Sequence, residues 1–116
     1  MAKVRITDLL LRTIIGIHDW ERKEKQDVII NISLEYDSRQ CRQLDSIKAA
    51  VDYRSLTKRI IEKVEASQFY LLEKLADFIL KMVMENSKVK QATVRVDKPQ
   101  ALRFARSVSV ELSSKR

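Results

Sequence analysis

The sequence has 116 residues, of which 45% are hydrophobic and 34% charged, a globular composition and a length that fits one domain with a substantial core. It contains 23 Lys and Arg against 16 Asp and Glu, and the net charge of +7 favours either an anionic partner or simply a well-solvated surface. The single glycine excludes a Walker A loop and a dinucleotide-binding fingerprint, and one histidine with one cysteine excludes both an intrachain disulfide and a Cys/His zinc cage from one chain.

The first predicted elements are two strands. Apolar and polar residues alternate with a period of two from Val28 to Asp37, which predicts a half-buried strand. The segment before it, 4–17, is also rich in strand-forming residues, but its apolar positions change register after Ile6. A β-bulge would reconcile the two halves of this first strand.

Two amphipathic helices are predicted in the middle of the chain. The first begins at Tyr53, with Asp52 as its N-cap, and the second begins at Leu71 and ends near Asn86 and Ser87. Apolar residues recur at helical spacing in both: Leu56, Ile60, Ile61 and Val64 in the first, and Leu72, Leu75, Ala76, Ile79 and Val83 in the second.

Two more alternating segments, 92–97 and 107–112, complete the order β-β-α-α-β-β. This order predicts one α+β domain over residues 1–116, with an antiparallel four-stranded sheet and two helices on one face. The opposite face would be polar, and it would either meet water or line the inside of a ring of subunits. Its expected residues are Asn31, Ser33, Glu35, Thr93, Arg95, Ser107 and Ser109.

Four places could carry chemistry, although each also has an ordinary structural explanation. The loop 16–26 leaves a strand end, a common binding position, yet it could be a solvated loop with Trp20 covering an edge. At the start of the first helix, Tyr53 could be a proton donor, but its spacing favours a core anchor.

The other two places are at Glu73 and Lys98. Glu73 begins the second helix beside its apolar stripe, so its carboxylate is either a simple helix-start residue or one that requires a donor pair as partner. Lys98 ends the third alternating segment, where Pro99 keeps it extended. It is either a surface lysine or, if partly desolvated, a proton carrier.

The ordered set of these segments resembles the dihydroneopterin aldolase and dihydroneopterin triphosphate epimerase family from Arg5 to about Leu112. No single motif carries the resemblance; the order of all of them does. The segments are 11–17 (LRTIIGI), 19–21 (DWE), 26–28 (QDV), 52–54 (DYR), 69–75 (FYLLEKL), 97–99 (DKP) and 101–109 (ALRFARSVS).

The resemblance implies the tunnelling fold, in which sheets join edge to edge into rings and two rings stack as an octamer with sites between subunits. It also implies a small-molecule pterin substrate and a reaction that uses no metal and no organic cofactor, because the dihydropterin ring itself accepts the electrons of the broken bond.

The resemblance also implies roles for five residues. Glu73 matches the glutamate that anchors the pterin, and Leu72 would add a backbone contact beside it. Tyr53 matches a tyrosine brought by the neighbouring chain. Glu21 matches an acidic residue near the side-chain pocket, and Lys98 matches the catalytic lysine.

Two reactions are possible from one retro-aldol intermediate, namely release of glycolaldehyde by an aldolase of folate synthesis or re-addition that gives the 2′-epimer. The segments 53–58, 72–75 and 101–109 look like the epimerase branch, whereas 19–21 looks like bacterial aldolases, and the longer match favours the epimerase. A triphosphate substrate would need basic contacts, for which Arg54, Arg103 and Arg106 are candidates.

Two other classes of protein remain as alternatives. A basic nucleic-acid-binding module is disfavoured because acidic residues are interspersed and no aromatic pair lies on a strand. A purely structural ring protein would bind no pterin. The start of the chain lacks the apolar core of a signal peptide, no stretch has the length of a membrane span, and the lone Cys41 suits a reducing compartment, so we expect a cytoplasmic protein with no membrane or nucleic-acid partner.

Overall fold

Four long strands form the centre of the fold. The structure is a computed structural model that describes residues 1–116. The elements in chain order are β1 Ala2–Ile15, β2 Gln26–Tyr36, α1 Arg39–Leu44, a 3₁₀ turn Ile47–Ala49, α2 Tyr53–Glu65, β3 Gln68–Phe69, α3 Leu72–Met84, β4 Val89–Pro99 and β5 Ser107–Lys115. The sheet order is β3-β1-β2-β4-β5; the four long strands are antiparallel to their neighbours, and β3 runs parallel to β1.

The predicted α+β class and the order of the main elements are confirmed, but the sheet has five strands rather than four and there are additional helical turns. The fifth strand, β3, has only two residues and pairs with Ile14 and Ile15, so it is too short to produce a periodic pattern. The short α1 buries no residue, and an apolar stripe could not have revealed it.

The predicted bulge in β1 is confirmed. The register with β2 shifts between Ile6 and Leu9. Asp8 has a φ of 55°, its backbone N–H donates to Asn31 Oδ1 at 2.9 Å, and Asn31 Nδ2 donates to Asp8 Oδ1 at 3.1 Å. These two reciprocal hydrogen bonds hold the extra residue of the bulge in place. Because of the bulge, the residues of β1 that face the helices have even numbers before it and odd numbers after it.

The core lies between the sheet and the two long helices. The side chain of Asp52 caps α2 by accepting from Ser55 N at 3.1 Å, as predicted. Helix α2 packs on β1, and α3 packs on β4 and β5. Six residues of α3 are buried: Leu75, Ala76, Ile79, Leu80, Met82 and Val83. None of the helices combines the length and the apolarity that crossing a membrane requires.

The helix-free face of the sheet is polar, as the alternation predicts. Arg95 Nε lies 2.9 Å from Asp97 Oδ1, and the hydroxyls of Thr93 and Ser113 lie 2.9 Å apart across β4 and β5. Both edges of the sheet are open, because β5 pairs only with β4 and the outer side of β1 is paired only at its last two residues. The fold therefore presents two long strand edges and one polar face.

Candidate active site

The turn that leaves β1 depends on the only glycine of the chain. Gly16 has a φ of 131°, a conformation that side chains rarely adopt. A Cβ atom at this position would overlap the carboxyl group of Glu21. Glu21 itself is buried, with 4% of its surface exposed. Gly16 is therefore required for the Glu21 carboxylate to fold back against the end of β1.

The buried carboxylate of Glu21 pairs with Lys98. Lys98 alternates with Val94 and Val96 along β4, so its side chain projects from the helix side of the sheet. Its ammonium group donates to Glu21 Oε2 and also to the carbonyl of Ile15 at 3.3 Å. The side chain of Lys98 is 12% exposed and that of Glu21 is 6% exposed, so the ammonium is the member of the pair with more access to solvent.

Two further donors complete the environment of this carboxylate. The backbone N–H of His18 donates to Glu21 Oε1 at 3.1 Å, and Gln26 Nε2 donates to Oε2 at 3.3 Å. Gln26 also donates to the Ile15 carbonyl at 3.0 Å, so it shares both acceptors with Lys98. Burial alone would raise the pKa of this carboxyl group, but the hydrogen bonds and the charge of Lys98 lower it to about 2.

This arrangement can hold a proton carrier in one place. Glu21 remains ionised at neutral pH and fixes the ammonium group, whose third donor and partial exposure leave it able to reach a bound molecule. In its neutral amine form Lys98 could take a proton from a bound hydroxyl, directly or through one water, and the resulting ammonium could return it.

The start of α3 is brought next to this loop by β3. The backbone N–H of Gly16 donates to the Phe69 carbonyl at 3.2 Å, three residues before Leu72 begins the helix. Glu73 lies in the first turn, is exposed, and has no side-chain hydrogen bond or ion pair within the chain. Its carboxylate is free to accept hydrogen bonds from a ligand. The sequence suggested a half-buried position for Glu73, but in the single chain this residue is exposed.

Tyr53 lies elsewhere on the chain surface. It is the first residue of α2 and is 55% exposed, so the expectation of a core anchor is wrong: the apolar stripe of α2 begins at Leu56 instead. With Arg54 and Ile61, it lines a cavity of about 510 Å³. No hydrogen bond joins it to Glu21 within one chain.

The candidate phosphate contacts are also distributed. Arg54 follows Tyr53 on α2, and Arg103 and Arg106 lie in the loop between β4 and β5. Arg106 lines a cavity of about 300 Å³ on the polar face of the sheet, whereas Lys98 projects from the helix side. The Arg103 guanidinium lies over the exposed Phe104 ring, with its Cζ atom 5.0 Å from the ring centroid. Within one chain, Arg106 therefore lies on the opposite side of the sheet from Lys98.

Sequence reasoning did not single out Gln26 as a contributor to the site. A signal was present, because Gln26 has the same parity as Val28 and Ile30 and so faces the helix side of β2. A polar residue on an otherwise apolar face requires a buried partner, and here the partners are Glu21 and the Ile15 carbonyl.

Comparison with known proteins identifies the family of this chain. The family model for dihydroneopterin aldolase matches residues 4–113. The chain belongs to the dihydroneopterin aldolase family, as its sequence predicts, and it is an enzyme of the isomerase or lyase type that this family contains.

The relatives lie in both branches. Over 116 residues the chain is 48% identical to the dihydroneopterin triphosphate 2′-epimerase of Pseudomonas aeruginosa, a match that covers 100% of this chain and 94% of the relative. It is 44% identical over 115 residues to the enzyme of the same name from Escherichia coli K12, covering 99% and 96% of the two chains. A Vibrio cholerae crystal structure described as a candidate dihydroneopterin aldolase superposes with a TM-score of 0.94 at 30% identity, covering 100% and 98%.

Proposed function

We propose that this enzyme epimerises dihydroneopterin triphosphate at C2′ by retro-aldol cleavage and aldol re-addition. The observation that carries the proposal is the 48% identity, over the whole chain, to an enzyme named for that reaction. The buried Glu21–Lys98 pair supports it, because the reaction requires a proton to leave the 2′-hydroxyl and to return.

The reaction balances without an added reagent. When the 2′-hydroxyl loses its proton, the C2′ oxygen becomes a carbonyl, the C1′–C2′ bond breaks, and its electrons enter the ring C=N bond. Re-addition of the pterin carbon to the other face of the retained aldehyde reforms the C1′–C2′ bond, and the new alkoxide takes back a proton. The substrate and product are isomers, so no oxidant, reductant or cofactor is consumed.

Lys98 is the proposed carrier of the 2′-hydroxyl proton, and Glu21 is proposed to hold its ammonium group in place. Glu73 is proposed to accept two hydrogen bonds from the amino group and adjacent N–H of the pterin ring, because one carboxylate matches this two-donor edge. Leu72 would add a backbone contact to the ring. Tyr53, from a neighbouring subunit, is the proposed acid that protonates the pterin when the aldehyde leaves.

Self-association is part of this proposal, and we propose an octamer of two stacked rings. The open edges of β1 and β5 support it, since unpaired strand edges are templates for pairing with another chain. Large exposed apolar side chains support it as well, with Trp20 58% and Phe104 97% exposed. Light scattering should give a mass eight times that of one chain, and a monomer at micromolar concentration would contradict the assembly.

A second candidate function is dihydroneopterin aldolase, in which glycolaldehyde leaves and the pterin is protonated. The 30% identity to the Vibrio cholerae structure favours it, as does the description of the family as a whole.

We also propose the cytoplasm as the compartment, because the thiol of Cys41 is free and a reducing compartment keeps it so.

The deciding experiment is incubation of the enzyme with dihydroneopterin triphosphate and, separately, with dihydroneopterin, followed by chiral chromatography of the products. We expect the triphosphate to be converted to its 2′-epimer, with a kcat/KM higher than that of any reaction of dihydroneopterin. Accumulation of hydroxymethyl-dihydropterin and glycolaldehyde as the dominant products would favour the aldolase, and no reaction of either substrate would contradict both functions.

A further inference from the structure

The guanidinium group of Arg22 is bound by three backbone carbonyls from two segments of the chain. Nη1 donates to the carbonyls of Gly16 at 3.1 Å and Phe69 at 3.0 Å, and Nη2 donates to the carbonyl of Gln68 at 2.6 Å. Its Cζ atom lies 4.0 Å from the centroid of the Tyr70 ring. This planar fork of donors matches several acceptors at once in a way that a lysine cannot.

The two segments that Arg22 joins carry different parts of the proposed site. Gly16 begins the loop 16–25, which contains Glu21, and the segment 68–70 leads directly into Leu72 and Glu73. The other contacts between them are the two-residue pairing of β3 with β1, the hydrogen bond from Gly16 N–H to the Phe69 carbonyl, and the hydrogen bonds of the Thr13 hydroxyl with Ser67. A strand pair of that length contributes little by itself, so the three hydrogen bonds of the Arg22 side chain add substantially to the connection.

Arg22 has no acidic partner and does not touch the reacting pair. Its side chain forms no ion pair, and none of its hydrogen bonds reaches Glu21 or Lys98. Its positive charge acts on the three carbonyl oxygens and on the Tyr70 ring, and charge-assisted hydrogen bonds are stronger than neutral ones. Removing its side chain would delete no hydrogen bond of the Glu21–Lys98 pair, and it would leave the two segments joined only by their other contacts.

We propose that Arg22 is a positioning residue that fixes the Glu21 loop relative to the start of α3. The inference rests on the proposed function, in which Glu73 binds the pterin ring while Lys98 acts on its side chain. These two ends of one substrate must be held at a constant separation, because small misplacements of reacting groups are costly in rate. Arg22 maintains that separation by binding the backbone of both segments through its side chain.

The test compares R22A with R116A, a matched control. Arg116 also donates from its guanidinium group to two backbone carbonyls, those of Met84 and Val89, but it lies at the chain terminus away from the site. R22A should lower kcat/KM for the dihydropterin substrate about tenfold, mainly through a lower kcat, with the shape of the pH profile unchanged. R22K should restore part of the loss, and R116A should leave kinetics as in the wild type.

Amide hydrogen exchange provides a readout that does not need turnover. R22A should accelerate exchange in both 17–24 and 70–76, whereas R116A should affect only the segments around residues 84–90. If R22A matches R116A in kcat and in the exchange of these two segments, the proposal for Arg22 is wrong. If the wild-type protein turns over no dihydropterin, the proposed function fails, and the exchange comparison alone still decides whether Arg22 links the two segments.

Discussion

Replacement of Glu21 by glutamine should lower the free energy of unfolding by about 3 kcal/mol at pH 7. The carboxyl group has a pKa of about 2 in the folded protein against an ordinary value of 4.5. Each pKa unit corresponds to about 1.4 kcal/mol, so the ionised form is stabilised by about 3 kcal/mol on folding. This agrees with the cost of about 3–5 kcal/mol for removing one partner of a buried ion pair. E21Q keeps the size of the side chain, so the close approach to Gly16 is preserved.

The sign of the pH dependence follows from the lowered pKa. Stabilisation by Glu21 is fully present above its unfolded value of 4.5 and is lost as the pH falls through 2. The difference between wild type and E21Q should therefore be constant from pH 7 to pH 5.5 and should fall to about half by pH 3. Urea unfolding at several pH values and one fixed protein concentration measures this difference.

Asp37 provides the control for this measurement. Its pKa is also lowered to about 2, by hydrogen bonds from Arg39, but its side chain is exposed, with 41% of its surface accessible to solvent. D37N should change stability far less than E21Q, since water and salt screen exposed pairs. Two results would refute the account of the Glu21–Lys98 pair. One is a difference in the free energy of unfolding between wild type and E21Q below about 1 kcal/mol at pH 7, and the other is a difference that does not change between pH 7 and pH 3.

Three further predictions concern the site. E73Q should weaken dihydropterin binding about tenfold to hundredfold, since a charge-assisted hydrogen-bonded pair contributes about 1.5–3 kcal/mol; an unchanged dissociation constant in titration calorimetry would make Glu73 a simple helix-start residue. The double variant R103A/R106A should lower kcat/KM for the triphosphate at least about tenfold and leave dihydroneopterin turnover nearly unchanged, and equal effects on both substrates would remove these arginines from phosphate binding. G16A should displace the Glu21 carboxylate and lower kcat/KM for either substrate, because its Cβ would overlap that group; wild-type kinetics for G16A would show that the loop adapts.

The sequence predicts the parts of this fold that repeat. Alternation in β2, β4 and β5 and the stripes of α2 and α3 identify the main elements, and the change of apolar parity after Ile6 locates the bulge in β1. Periodicity is informative there because each element buries one face against a single core. The two residues of β3 and the short α1 lack enough turns or alternations to produce such a pattern.

The site could be predicted only in part. Glu21 and Lys98 follow from the family resemblance, but their contact joins residues 77 positions apart and depends on how β1 ends. The exposure of Tyr53 could not be derived from its spacing, because the apolar stripe of a helix can begin after its first turn. The contacts of Arg22 depend on the backbone path of β3, which no side-chain pattern records.

The alternation along β4 restricts how this enzyme can change its length during evolution. Val94, Val96 and Lys98 face the helices, while Arg95 and Asp97 face the opposite side. Deletion or insertion of one residue between Val96 and Lys98 would turn the lysine to the polar face and bring an acidic residue or a proline beside Glu21. A change of chain length in the loop 100–106, beyond the last paired residue of β4, would instead leave the lysine and its carboxylate in register.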